Sequence, residues 1–378
     1  MTRLALISSA GLIVLTMACR QMTTTDPSQD FLRHAWDAYK HTYIRAEGNV
    51  VDPDRNGGAT TSEGQGYAML RAAWMHDKDA FDRTFRWADQ HLRRADGLYS
   101  WLWTPADGGR ILDANSAADA DQEIAFALIL ASEVFQDAKM LARARQILLA
   151  IRQHERVEVG AGWFPAAGNW AVPQRIVNLS YFVPYAYPYF ERIDPEGRWE
   201  TVTESGYDLI AKTLGPDTTR LIPDFLSVAT DGNPEALPKD TGLSSDFSSD
   251  AMRIYWRVAM DCRLHSRTRA CADPLGAGQL TAMLARDGKL FTRYGIDGVP
   301  REQVESSSFY GAALPFLLLH APAAGDAVRK NELSSSKLDV IVTERSRYFD
   351  ANWVWFGVAA ADGWIDSHTP PIASIPAS

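Results

Sequence analysis

Apolar residues recur at helical spacing in segment after segment, and joints rich in Gly, Pro and Asp separate the segments. The pattern predicts helices over Gln29–Ile44, Ser62–His76, Asp79–Arg94, Asp119–Phe135 and Ala138–His154. It continues with Tyr181–Ile193, Trp199–Leu214, Asp250–Leu264, Pro274–Arg286 and Ser306–His320, then two weaker helices, Gly325–Leu333 and Asn352–Ala361. Strand signals are few, and Val157–Trp163 is the clearest. No composition shift or long linker divides the chain, so residues 30–365 read as a single domain. The Pro/Ser-rich tail, 366–378, is expected to be disordered. Helical hairpins in such number must bury a continuous core, and a closed ring of hairpins does so efficiently. In that ring every second helix lies inside, and the inner helices run parallel. Their N-termini converge on one rim, so chemistry is expected at the starts of alternate helices.

The first residues follow a different pattern. Met1–Arg3 is a short basic start, Leu4–Met17 is apolar, and Cys19 follows Ala18. The apolar run is shorter than the roughly 20 residues that span a bilayer, so residues 1–19 read as a secretory signal followed by a linker, 20–29. Thr16-Met17-Ala18 resembles a cleavage site. The Cys after it also resembles a lipoprotein box, although Leu15 sits one place further from the Cys than that box wants. Ordinary cleavage into the periplasm or medium and a lipid anchor on Cys19 both stand. No second long apolar run exists, so no transmembrane helix is expected.

Composition narrows the chemistry. The chain has 378 residues and a net charge of −9; 46% of its residues are hydrophobic and 22% charged, which excludes wholesale disorder. Without a Lys/Arg run it lacks the basic footprint of a nucleic-acid binder. Of three cysteines, Cys262 and Cys271 would close a short loop as a disulfide in an oxidising compartment. There is no HExxH, P-loop, GxSxG elbow or GxGxxG opening a helix, so neither metal nor any other cofactor is implied.

Three acids open predicted helices: Glu63 the second, Asp119 the fourth and Asp250 the eighth. Each has a purely structural reading. Ser62 with Gln65, and Asp119 with Gln122, look like capping boxes, and Asp250 after two serines looks like a first-turn acid favouring the helix dipole. Gly64 and Gly66 weaken that reading, because glycines in a first helical turn cost about 1 kcal/mol each and permit close approach of a ligand or backbone. Asp119 and Asp121, two apart, cannot share a helix face, so at most one serves a cleft.

Together these segments resemble glycoside hydrolase family 8, the bacterial endoglucanases and their relatives. Ser62-Glu63-Gly64-Gln65-Gly66-Tyr67 resembles the general-acid motif. Ala117–Leu128, continuing to Ala131 and Phe135, resembles the family signature, and Asp250-Ala251-Met252-Arg253-Ile254-Tyr255 the general-base segment. Gly97–Trp101 and Asn178–Phe182 are also similar, and the likeness runs in order over roughly Asp30–His320. The nearest type is the periplasmic cellulase of bacterial cellulose-synthesis operons.

The resemblance implies an all-α (α/α)6 barrel and inverting hydrolysis of β-1,4-glucan. It makes Glu63 the acid, Asp250 the base and Asp119 the holder of the sugar at the cleavage point. Asp246, a second acid in the same segment, is another candidate base. Ala118 stands where the family usually has Ser or Thr, and Ser249 replaces a common aromatic. Trp101, Trp103, Tyr181 and Tyr185 are candidate sugar platforms, with Arg253 as a hydrogen-bonding partner.

Inversion needs a protonated carboxyl and an ionised one on opposite sides of the bond. A helix N-terminus favours the ionised form, so a proton donor there needs burial or a neighbouring carboxylate, for which Asp119 is the candidate. Chitosan, xylan and mixed-linkage glucan are alternative substrates, and a non-catalytic glycan-binding or assembly factor is the alternative class of function. The enzyme is expected to be a monomer.

Overall fold

The computed structural model describes residues 27–216, 220–344 and 347–377. The expected signal peptide, with the lipidation candidate Cys19, lies outside the described residues. Fifteen α-helices occur among those residues. They are α1 Pro27–Tyr43, α2 Ser62–Trp74, α3 Lys78–His91, α4 Ala118–Val134, α5 Lys139–His154, α6 Tyr187–Ile193, α7 Trp199–Leu214 and α8 Arg253–His265. There follow α9 Thr268–Cys271, α10 Ala277–Asp287, α11 Ser307–His320, α12 Pro322–Asn331, α13 Ser335–Thr343, α14 Tyr348–Ala361 and α15 Trp364–His368. The first helix begins inside the expected linker, because Pro27 at its N-terminus needs no amide donor.

The helices form an (α/α)6 barrel with α2, α4, α6, α8, α11 and α14 inside. Helix α2 packs on α4, α8 on α11, and α11 on α14. Rings close the remaining steps. Phe126 of α4 meets Tyr189 of α6, Tyr189 meets His265 of α8, and Tyr67 of α2 meets Trp353 and Phe356 of α14. Inner helices α2 and α4 are buried around nearly their whole circumference, polar residues included, and Ala118–Ser132 of α4 is buried without a break. Outer helices such as α3 carry a single apolar stripe. The two tightest inner helices cross on glycines: a Cβ on Gly311 would lie 2.3 Å from the carbonyl oxygen of Trp353, and one on Gly357 2.1 Å from that of Gly311.

Short strands decorate the loops. A sheet of β1 (Thr60–Thr61), β2 (Leu102–Thr104) and β3 (Arg110–Asp113) stands at the rim beside the start of α2. The expected strand Val157–Trp163 is an antiparallel hairpin of β4 (Arg156–Val159) and β5 (Gly162–Pro165). A third small sheet joins β6 (Ile176–Val177), β7 (Leu226–Val228) and β8 (Pro234–Glu235). The disulfide Cys262–Cys271 ties the end of α8 to α9.

Two expectations need correction. The C-terminal tail is ordered through residue 377, because its backbone and one apolar side chain find partners on the barrel. Trp74 Nε1 donates to Thr369 Oγ1, Tyr189 Oη to the Pro370 carbonyl and Arg192 Nε to the Ile375 carbonyl, while Ile375 is fully buried. The helix expected over Tyr181–Ile193 is broken. A single 3-10 turn, Leu179–Tyr181, precedes an extended bend, and α6 begins only at Tyr187.

Candidate active site

Helix α2 buries every residue except Glu63. A fully internal helix therefore leaves one side chain free to face the cleft, and that side chain is a carboxyl. Its cap is Thr61, whose Oγ1 accepts from Gly64 N at 3.0 Å. Gln65 does not close a capping box with Ser62. It is fully buried, its Oε1 accepts from Val50 N at 2.6 Å, and its Nε2 donates to the carbonyls of Gly48 and Thr84. Gly64 is needed because a Cβ there would lie 2.4 Å from the Tyr348 hydroxyl. A Cβ on Gly66 would make only ordinary contacts with Glu123, Ile124 and Ala120 of α4, so the approach of the two helices does not require that glycine.

Asp119 sits in the first turn of α4 and is 2% exposed, with Oδ1 accepting from Ala120 N at 2.9 Å. Its supposed capping partner, Gln122, instead donates to the carbonyls of Ala118 and Tyr181 and accepts from Tyr187 Oη. Asp121 turns away from the cleft and accepts from Tyr99 N. Asp250 does not open α8. It occupies a turn three residues earlier, with its side chain one-third exposed.

Arg253, at the start of α8, gathers all three acids. Its Nη1 donates to Glu63 Oε1 and, at 2.9 Å, to Asp119 Oδ2, while its Nη2 donates to Asp250 Oδ1 at 2.5 Å. Tyr67 Oη also donates to Glu63 Oε1, at 2.6 Å. The guanidinium lies 5.2 Å from the centre of the Tyr181 ring and is 2% exposed, so it orients carboxylates from beneath the cleft floor. The neighbour expected to act on Glu63 is thus reached through a cation. Burial pushes Asp119 above the usual carboxylate range, Arg253 opposing and Glu63 reinforcing the rise. Burial likewise pushes Asp250 up to about 7 against the pull of Arg253, with Asp224 adding to the rise.

The three acids line a cleft of about 500 Å³ whose walls include Trp101, Trp170, Tyr181 and Phe225, with Arg55, Asp113, Asn115 and Leu243. A second hollow of about 390 Å³ starts at Ser244, Ser248 and Ser249, next to Asp250, and is lined by Phe309 and Phe349. A further cavity, between α1 and α11 to α14, is lined by Phe31, Leu314, Leu333 and Leu338 with Asp30, Asp339, Asp362 and Arg329, and there Arg329 pairs with Asp362 at 2.7 Å.

Two expected platforms are elsewhere. Period-two alternation puts Trp101 and Trp103 on one face, but a bulge between Leu102 and Trp103 turns Trp103 onto Trp87, centroids 5.2 Å apart. Tyr185 is 1% exposed and packs edge-on against Phe126 and Trp256 beneath the floor. Asp246 pairs with Arg293 at 2.8 Å and does not line the cleft. Ala118, at a departure from the family pattern, is buried and donates its N–H to the Ala167 carbonyl. Sequence reasoning missed Arg55, Asp113, Asn115, Trp170 and Phe225. Each sits on a rim loop, a short strand or, for Trp170, a 3-10 turn, where no periodicity marks a side chain as facing the cleft. Arg55 stacks 5.8 Å over the Trp101 ring.

Comparison with known proteins places the chain in a family. Residues 7–328 match the model of glycosyl hydrolases family 8. An endoglucanase of Salmonella typhi is 30% identical over 307 residues, covering 75% of this chain and 76% of the relative. A probable endoglucanase of Novacetimonas hansenii is 34% identical over 244 residues, 61% of this chain and 69% of the relative. The solved structure of the endo-β-1,4-glucanase CMCax from Acetobacter xylinum superposes with a TM-score of 0.69 at 26% identity, over 88% of this chain and 98% of its own.

Proposed function

Since the chain belongs to glycosyl hydrolases family 8 and is therefore a glycoside hydrolase, we propose that it cleaves β-1,4-glucan internally, with inversion, outside the cytoplasm and in the setting of cellulose export. One observation carries the reading: a single buried guanidinium gathers three carboxyls at the floor of an aromatic-walled cleft. The substrate follows from the endoglucanase relatives, and the leader pattern of residues 1–19 supports export.

Glu63 is the general acid. Both of its donors bind Oε1, which leaves Oε2 to carry the proton to the leaving glycosidic oxygen. Asp250 is the general base and activates the attacking water. The two take opposite nitrogens of one guanidinium, which holds them apart. Inverting enzymes separate the pair by roughly 6.5–9.5 Å so that a water fits between base and sugar. Asp119 holds the sugar at the cleavage point, Trp101 and Tyr181 carry sugar faces, and the hollow beyond Asp250 extends the cleft for a chain cut internally.

Glu63→Gln is expected to lower kcat on cellohexaose by about 10³-fold while its circular dichroism and Tm stay those of the parent. Normal turnover would remove the acid assignment. Time-resolved NMR should find the α-anomer first, and initial β-anomer would mean retention. A panel of carboxymethylcellulose, mixed-linkage glucan, xylan and chitosan decides the polymer. Reducing-sugar release from none of them would favour a glycan-binding role.

A further inference from the structure

Asp250 stands on a turn outside the helical ladder, so something else must hold it over Arg253. That holder is Asp224, on the loop entering β7 and 1% exposed. Its Oδ1 accepts from Ser248 N and from Ala251 N, each at 2.9 Å, and its Oδ2 accepts from the Ser248 hydroxyl. Its own N–H donates to the Asp246 carbonyl at 2.7 Å. One buried carboxylate thus grips both sides of the Ser249–Asp250 pair, while Arg253 Nε donates to the Asp250 carbonyl from the helix beyond.

We propose that Asp224 is a positioning residue for Asp250: it clamps the 248–251 turn and holds a second negative charge beside the base. The inference rests on Asp250 being the base. Burial pushes Asp224 above the usual carboxylate range, and the hydrogen bonds from Ser248 and Ala251 oppose that rise and favour its ionised form, so the clamp supports the charge. The other groups facing Asp250 are Arg253 of α8, Glu63 of α2, Asp119 of α4 and the Tyr181 hydroxyl. Only Arg253 among them is cationic, and it is shared among three carboxyls. Burial and the Asp224 charge raise Asp250 toward about 7 against that pull. In the free enzyme kcat/KM should therefore fall as pH drops through this region, because the base becomes protonated.

The test is the pH profile of kcat/KM on cellohexaose. Asp224→Asn keeps an acceptor for the two amides and removes the charge, so the acid limb should move down by about half a pH unit. Ser248→Ala removes one bond of the clamp and no charge, so kcat should fall with the limb in place. An unmoved limb in Asp224→Asn overturns the proposal, whatever its stability, and so does wild-type kcat in Ser248→Ala. Asp250→Asn separates the two readings. If it turns over normally, the base assignment itself has failed. If it is inactive and folded while the Asp224→Asn profile is unmoved, only the role of Asp224 is lost.

Discussion

Arg253 shows how much one residue decides. A guanidinium presents five donors in a planar fork, and here they reach Glu63, Tyr67, Asp119 and both the side chain and carbonyl of Asp250. Lysine, a point charge on a flexible stem, could not hold three carboxyls in fixed directions. Arg253→Met leaves those acids with no shared cation in a buried site, so it is expected to destabilise the fold by about 3–5 kcal/mol, read as a lower Tm in calorimetry. Arg253→Lys should recover part of the stability and little of the activity. The acid residues themselves were legible, since each stands at or near a predicted helix start in a recognisable motif. Arg253 was legible only as a substrate contact, because its role depends on partners 134 and 190 residues away in sequence.

At the scale of elements, the start of α4 is held without a side-chain cap at Ala117. Its entering loop is fixed instead by Ser116, whose hydroxyl donates to Glu155 Oε1 at 2.6 Å and whose N–H donates to Asn169 Oδ1 at 2.7 Å. Glu155 Oε2 and Asp121 Oδ2 are buried without hydrogen-bond partners. Burial, reinforced by Glu155, pushes Asp121 well above the ordinary carboxylate range. Glu155 itself is pushed to about 8 by burial, the Ser116 hydrogen bond opposing. The sign follows from linkage. An acid whose folded pKa lies above its unfolded value adds stability that is complete below the unfolded pKa, near 4.5 for Glu155, and lost as pH rises through the folded one. The Tm is therefore expected to fall between about pH 5 and pH 8. Glu155→Gln still accepts from Ser116 and removes the charge that reinforces the rise of Asp121, so it should flatten that slope. An unchanged slope would show that this pair is not its source.

For the molecule as a whole, ring closure depends on contacts the helical pattern could not reveal. The tail reads as disordered from its Pro and Ser content, yet it straps α15 to the bases of α2 and α6. Ending the chain at His368 removes three such hydrogen bonds and the burial of Ile375. The loss is expected to be about 4 kcal/mol, measured by denaturant unfolding with the cleft-forming residues untouched. A loss within about 0.5 kcal/mol would be that of an ordinary surface change. The cleft walls show the same limit. Trp170, Phe225 and Arg55 come from separate loops, and a one-residue bulge sends Trp103 away from Trp101.

What the amino-acid sequence determined by itself was local: most of the helices and the carboxyls of Glu63 and Asp119 in first turns. Those features are periodic or nearest-neighbour, so they can be read along the chain. Only the tertiary structure decided that Arg253 joins three acids, that Asp224 grips the turn of Asp250, and which aromatics face the cleft. Those outcomes depend on hydrogen bonds and burial between segments far apart in sequence, and no spacing along the chain records where a loop will bring its side chain.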